Sequence, residues 1–269
     1  MQQKKWVIDK NTNTIQEYKD KQLFDTIAEQ YCKKDMNRSS ILARRHRLLQ
    51  TFSLLPKISE PILLEVGCGC GFAASYLKGY YSRYVGIDYS KNLISYAKKI
   101  NSYDNTEFLP INIKEYKQTN CFDIIFMIGV LHHIEPLKNI VLHIIEMLKP
   151  GGWLIANEPQ SANKIIQITR KVRSALDSGY SNQQHYFSSS EIFELYNSAN
   201  LQNIKVAPQG IFSTPFAEVL LKPDTLSVPL AKLSITLDKK IEKGLKKYLR
   251  PISWNLIAIG QRQFKPTDL

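Results

Sequence analysis

Short apolar, β-branched runs alternate along the chain with stretches whose apolar positions recur at helical spacing. Runs of the first kind occupy residues 61–66, 83–88, 107–109, 122–128 and 153–157, and predict five strands. Between them residues 71–78, 91–100 and 137–148 read as helices. The last is ended by Lys149-Pro150-Gly151-Gly152, because Pro and Gly there cannot continue a helix. This alternation predicts an α/β fold built on a parallel sheet with right-handed crossovers. After residue 157 the pattern loosens. Two more strands are expected at 204–207 and 252–260, separated by a long, largely apolar insertion over 211–249. Residues 20–55 read as a helical lead-in, so a helical N-terminal cap (1–55) and a sheet domain (56–269) are expected.

Composition changes this picture little. A chain of 269 residues, 43% hydrophobic and 22% charged, can bury a full core. No apolar run approaches the roughly 18 residues that span a bilayer. Residues 1–14 are polar and lack the apolar stretch of a secretory signal, so a cytoplasmic location is the expectation. The four cysteines (Cys32, Cys68, Cys70, Cys121) do not suggest a disulfide framework in a chain this long. Cys68 and Cys70 lie two apart with no second pair of ligands nearby, so no metal is expected and both read as small residues in a crowded loop. The net charge of +12 raises nucleic acid as a partner. The lysines, however, are spread along the chain rather than interleaved with aromatics in one stripe, and no nucleic-acid partner is expected.

The first predicted strand runs straight into Gly67-Cys68-Gly69-Cys70-Gly71 and then a helix. Glycines permit positive φ and, lacking Cβ, let the backbone pass close to a bound molecule. The helix beyond offers free N–H groups to a ligand's negative end. Asp88 ends the second strand about twenty residues on, where a carboxylate can accept both hydroxyls of a ribose. The two signals together point to a nucleoside-containing ligand. A dinucleotide site carries G-x-G-x-x-G; here the spacing is G-x-G-x-G, preceded by Glu65. An acidic residue there repels a pyrophosphate and suits a positively charged amino group.

At this point the chain resembles the class I S-adenosylmethionine-dependent methyltransferases, in their small-molecule group. Leu64-Glu65-Val66-Gly67-Cys68-Gly69-Cys70-Gly71 is similar to the first motif, and Val85-Gly86-Ile87-Asp88-Tyr89-Ser90 to the second. Phe122-Asp123-Ile124-Ile125 with Val130-Leu131-His132-His133-Ile134 resembles the strand-four motif, and Leu148-Lys149-Pro150-Gly151-Gly152 the turn before strand five. The resemblance implies a Rossmann-like, mostly parallel seven-stranded sheet with helices on both faces and a helical insertion before the last strand. It implies S-adenosylmethionine as cofactor, held by Glu65, Gly67, Cys68, Gly69, Gly71, Asp88, Tyr89 and Ile128. Where the family often has Asp beside a small residue for the adenine amino group, the counterpart is Asn112-Ile113. An Asn oxygen can still accept from that group. Phe24-Asp25-x-Ile27-Ala28-x-x-Tyr31 resembles lead-in helices that close over the cofactor, with Tyr31 either a contact to its methionine end or a packing residue.

Methyl transfer from a sulfonium is an in-line displacement in which positive charge disperses, so alignment supplies much of the rate. A general base matters when the acceptor carries a weakly acidic proton. The candidates are His133, His132 and Glu158, beside the bland readings of packing for the histidines and a cap or lysine partner for Glu158. His185 is a further candidate, ahead of a helix whose Ser188 and Glu191 have capping-box spacing. Residues 159–200 and 211–250 are the expected acceptor-side segments, and the apolar insertion suggests a hydrophobic small-molecule acceptor. Three prolines (Pro215, Pro223, Pro229) argue against one continuous helix over 211–230. Residues 235–249 set Ile235, Leu237, Ile241, Leu245 and Leu249 among lysines. Such a helix packs on its own domain or lies on an anionic membrane. The competing functions are a nucleic-acid methyltransferase, against which Met127-Ile128-Gly129-Val130 lacks the Asn/Asp-Pro-Pro-aromatic motif, and a non-catalytic cofactor-binding module.

Overall fold

The computed structural model describes residues 10–164, 166–167, 186–244, 249 and 251–264, with side chains described from Glu17 onward. Two helices come first, α1 (Lys10–Asp35) and α2 (Arg38–Phe52). The expected lead-in is thus broken at residues 36–37, where Asn37 accepts the Ser39 N–H (3.1 Å) and caps α2. Then follow β1 (Ile62–Val66), α3 (Phe72–Tyr76), β2 (Arg83–Asp88), α4 (Lys91–Ile100), β3 (Thr106–Pro110), β4 (Phe122–Ile128) and α5 (Leu137–Met147). The rest comprises β5 (Leu148–Pro159), α6 (Ser189–Ser198), β6 (Leu201–Gln209), α7 (Thr214–Glu218), α8 (Asp224–Gly244) and β7 (Asn255–Arg262).

The seven strands form one sheet in the order β3-β2-β1-β4-β5-β7-β6. The first five pair in parallel, and β7 runs antiparallel between β5 and β6. This is the Rossmann-like sheet expected, with both faces covered. On one face Ile140, Val141 and Ile144 of α5 and Ile192 and Tyr196 of α6 meet Leu64, Val85, Ile125 and Leu154. On the other, Leu48 and Phe52 of α2, Ala73 and Ala74 of α3 and Ile94 and Ala97 of α4 meet Leu63, Tyr84, Phe126 and Ile155. Strand order reverses beside β1, and a crevice opens at the carboxyl ends of the strands there.

Several boundaries differ from the sequence reading. β5 begins at Leu148, not at Trp153, because the Pro150-Gly151-Gly152 turn is absorbed as a bulge: Phe122 pairs with Leu148 and Ile124 with Trp153. β7 begins at Asn255, since residues 251–254 turn back so that the Trp254 N–H donates to Gly210 O (2.8 Å). The helix after the glycine turn is shorter than expected. The Ser188–Glu191 capping box is present. In the insertion Pro215 starts α7, and the continuous helix starts at Asp224 and runs through Pro229, eleven residues earlier than expected.

The cysteine expectation is also corrected. Cys32 of α1 and Cys70 of the glycine turn are joined as a disulfide (Cα–Cα 6.0 Å, 38 residues apart), while Cys68 is a buried free thiol. Nothing in the spacing marks this pair, because it depends on α1 folding over the turn.

Candidate functional site

The glycine turn leaves β1 with Gly67, Gly69 and Gly71 all at positive φ (70°, 52° and 72°). Gly69 has open space where a Cβ would stand, with only the Tyr31 ring at 3.9 Å. At Gly67 a Cβ would lie 2.5 Å from Val130 Cγ2. The Gly69 N–H donates to Asp88 Oδ2 (3.0 Å) and the Ser90 N–H to Asp88 Oδ1 (2.9 Å), which aims the carboxylate across the strand ends. Burial pushes its pKa up to about 6, against the pull of those two N–H groups.

Two adjoining compartments lie over the crevice. The first is lined by Gly67, Gly69, Asp88, Tyr89, Asn112, Ile113, Ile128 and His133, all named from the sequence. It adds Glu17 and Phe24 of α1, and Ile111, Lys114 and Val130 from the strand ends. Asn112 accepts the Lys114 N–H (3.0 Å) and donates to Glu17, which also pairs with the Lys114 ammonium. The second is lined by Tyr31, Asp35, Arg44, Arg47, Glu65, Gly67, Cys68 and Gly69. Tyr31, Gly67, Gly69 and Ile128 line both. Gly71, expected as a cofactor contact, lines neither. A Cβ there would stand 2.7 Å from the Phe108 ring and 2.9 Å from Asn101 Nδ2, so this glycine serves packing in the turn.

The second compartment is unusually charged for its depth. Glu65 is buried and accepts from the Tyr84 hydroxyl; burial pushes its pKa up to about 8. Arg44 pairs with buried Asp35 (2.8 Å), but its Nε has no hydrogen-bond partner among the described residues. Arg47 is committed: its Nε donates to Asn157 Oδ1 (2.9 Å), Nη2 to Asn157 O (3.2 Å) and Nη1 to Glu218 (3.2 Å). A buried carboxyl and an arginine with an unused donor are the complement of an amino-acid zwitterion. Neither Arg44 nor Arg47 was expected from the sequence; both sit on α2, far from any recognisable motif.

The three candidate catalytic residues separate. His133 lines the first compartment, its Nδ1 3.3 Å from Asp20 Oδ2 and its ring edge-on to Phe24. Glu158 and His132 do not line either compartment. Glu158 is fully buried; Oε1 accepts the N–H groups of Val130 (3.0 Å) and Leu131 (2.9 Å), and Oε2 meets His132 Nδ1 (2.7 Å). The pair thus ties down the loop that presents His133. His185 lies outside the described residues.

A third, open cleft of about 980 Å³ adjoins Tyr31. It is bounded by Ile27 and Lys34 of α1, by Met36 just after it, and by the segment joining α7 to α8 (Val219, Leu220, Lys222).

Residues 64–154 match a family model described as a methyltransferase domain. The chain is 31% identical over 110 residues to the tRNA U34 carboxymethyltransferase of Pseudoalteromonas translucida, covering 38% of this chain and 34% of that one. It is 24% identical over 153 residues to a ubiquinone biosynthesis O-methyltransferase of Rickettsia typhi, covering 54% and 61%. The chain therefore spans about a third and three fifths of the lengths of these relatives. Its fold is similar to that of a Thermotoga maritima S-adenosylmethionine-dependent methyltransferase, described as a possible histamine N-methyltransferase. The TM-score is 0.64 at 18% identity, over 90% of this chain and 99% of that one.

Proposed function

We propose that the chain carries a class I S-adenosylmethionine-dependent methyltransferase domain and that the protein methylates an oxygen or nitrogen of a small, partly apolar molecule. The observation that carries this reading is the pair of compartments sharing Tyr31, Gly67, Gly69 and Ile128. Asp88 and Asn112 on one side suit a ribose and an adenine amino group. Glu65 and Arg44 on the other suit an ammonium and a carboxylate. When bound, the cofactor supplies a methyl group on a sulfonium, already activated for displacement.

The chain's own part is placement. Glycine backbone and the apolar edges of Ile128 and Val130 exclude water from the reacting centre, and a fixed approach of acceptor to methyl is worth up to about 7–11 kcal/mol of barrier. His133, oriented by Asp20, is the side chain in the first compartment suited to take a proton from an acceptor hydroxyl or ammonium, a contribution of about 10²–10⁴-fold. Glu158 and His132 position its loop and touch no substrate. The cleft beside Tyr31 is the acceptor's approach, and its mixture of Ile27, Met36, Val219 and Leu220 with Lys34 and Lys222 supports an amphiphilic acceptor.

Methyl transfer to RNA is a second reading. It draws on the net charge of +12 and on the likeness to a tRNA-modifying relative. RNA binding that weakens steeply with salt, together with methyl incorporation into RNA, would select it. Calorimetry with S-adenosylmethionine and S-adenosylhomocysteine tests the reading that both share. If neither binds, it fails. Asp88→Ala should weaken binding at least about tenfold through lost charge-assisted bonds, while His133→Ala spares it; the opposite pattern overturns the assigned roles.

A further inference from the structure

α8 is amphipathic the wrong way round for a helix that only covers its own domain. Its inward positions are Ser227, Ala231, Asp238 and Glu242, all buried. The two acids bind backbone: Asp238 accepts the N–H groups of Phe212 (2.9 Å) and Ser213 (2.9 Å) and the Ser213 hydroxyl (2.6 Å), and Glu242 accepts the Gly210 N–H (2.8 Å). The leucines face outward. Leu226, Leu230, Leu233 and Leu237 are 64%, 54%, 56% and 38% exposed. Spaced four, three and four residues apart, they fall within a sector of about 60° on a helical wheel. Of the apolar positions read at 235–249, Leu237 belongs to this outer stripe.

The charge around the stripe is of one sign. Lys232, Lys239 and Lys240 of α8 are exposed, as is Lys222 just before it. Among the helix's described residues none of the acids is exposed: Asp238 and Glu242 are buried and Asp224 accepts from Asn37. By angle Lys240 borders the leucines, about 50° from their centre, while Lys232 and Lys239 lie about 130° and 150° from it, on the flank between the leucines and the inward face. We propose that this face docks on an anionic lipid surface, the leucines entering the headgroup–acyl boundary and the lysines meeting lipid phosphates. A second copy of the chain fits less well. Seated on the same stripe it would bring two sets of lysines together with no exposed acid on either helix to offset them. Val219 and Leu220, 44% and 46% exposed, carry the apolar surface from the start of α8 into the cleft beside Tyr31. Docking there faces the acceptor's approach toward the membrane, although binding itself does not depend on the reaction proposed above. None of the described helices is long and apolar enough to cross a membrane, so the contact is peripheral.

Co-sedimentation of the full chain with vesicles tests this. The protein should pellet with an equimolar mixture of phosphatidylcholine and phosphatidylglycerol, weakly with phosphatidylcholine alone, and less as salt rises. Leu230→Ser with Leu233→Ser should reduce the bound fraction at least about tenfold, since both lose apolar contact with the lipid. Lys232→Glu with Lys240→Glu should abolish the preference for anionic lipid. Circular dichroism and cofactor calorimetry should remain as in the wild type, because these side chains are exposed and outside the cofactor compartments. Wild-type protein that stays in the supernatant with anionic vesicles overturns the proposal, as does a leucine variant that pellets normally. A concentration-dependent dimer in analytical ultracentrifugation that the leucine variant loses would assign the face to a second copy instead.

Discussion

Replacing Glu158 separates a positioning role from a catalytic one. Its carboxylate is fully buried and satisfies two backbone N–H groups and the His132 ring. In Glu158→Ala the N–H groups of Val130 and Leu131 are orphaned inside the protein, at about 1–3 kcal/mol each. A loss of about 2–6 kcal/mol is a large part of the 5–15 kcal/mol that holds a typical domain together. Glu158→Gln is milder. Its amide oxygen can still accept from both N–H groups, but charge-assisted bonds become neutral ones and the amide NH₂ faces His132 Nδ1, for about 1–2 kcal/mol.

Urea unfolding followed by circular dichroism reads these values, with the midpoint lowered and the slope unchanged. Acid supplies a second check. Burial alone would raise the Glu158 pKa, but the His132 ring and the two N–H groups outweigh it and hold the carboxyl below its ordinary 4.5. A carboxyl with a depressed folded-state pKa contributes stability above its unfolded value, and the contribution fades as pH falls through the folded value. The gap between wild type and Glu158→Gln should therefore be full at neutral pH and narrow below about pH 4.5. A Gln variant with wild-type stability at neutral pH and no turnover would refute this account, and would return Glu158 to the reacting atoms.

Two further outcomes follow from the second compartment and its cover. Glu65, with its pKa pushed up to about 8 by burial, holds a proton at neutral pH, and a bound ammonium should expel it. Cofactor affinity should rise with pH between about 6 and 7.5, by at most about tenfold per unit, below the range where an α-amino group loses its own proton. Calorimetry in buffers of different ionisation enthalpy should register the released proton, and Glu65→Gln should abolish it; proton uptake would be the contrary result. The Cys32–Cys70 bond leaves two free cysteines, Cys68 and Cys121, so unreduced, denatured protein should take up label at two thiols rather than four. Closing a separation of 38 residues is worth up to about 4 kcal/mol, and reductant should lower the unfolding midpoint accordingly.

What could be read along the chain was whatever local pattern determines. The parallel core, β1 through β4, follows from apolar runs and turn residues, and the glycine turn with Asp88 from two short motifs on adjacent strands. Boundaries slipped where tertiary contacts override pattern. The Lys149-Pro150-Gly151-Gly152 turn does follow the end of a helix, as the local rules say, yet its residues are carried as a bulge inside β5 because β4 pairs with Leu148 before them and Trp153 after them. The insertion was open for another reason. Apolar positions at helical spacing among lysines fit a helix packed on its own domain or one lying on a membrane, and only the turn at Gly210–Ser213, whose N–H groups Asp238 and Glu242 accept, explains why these acids face inward. Arg44 and Arg47 carry no local signal at all. Their positions depend on α2 packing across the sheet.

The cover over the site shows why motif and geometry diverge most at the N-terminus. α1 reaches every part of the cavity from one helix. Glu17 meets Asn112 and Lys114 at one end. Asp20 then faces His133, and Asp25 accepts the Ser90 hydroxyl (2.6 Å) one turn further on. Tyr31 closes both compartments, and Cys32 fastens the far end to the glycine turn. Glu17, Phe24 and Tyr31, which line the first compartment, are spaced seven and seven residues apart and so recur on nearly one face. That face is mixed acid and aromatic, and hydrophobic periodicity passes over it because it covers a ligand cavity instead of joining the core. The strand-end motifs supply half of the cavity, and α1 with Arg44 of α2 supplies the other half. A chain truncated before Asp35 would keep all four strand-end motifs and lose the adenine-side, His133-side and Tyr31 contacts together.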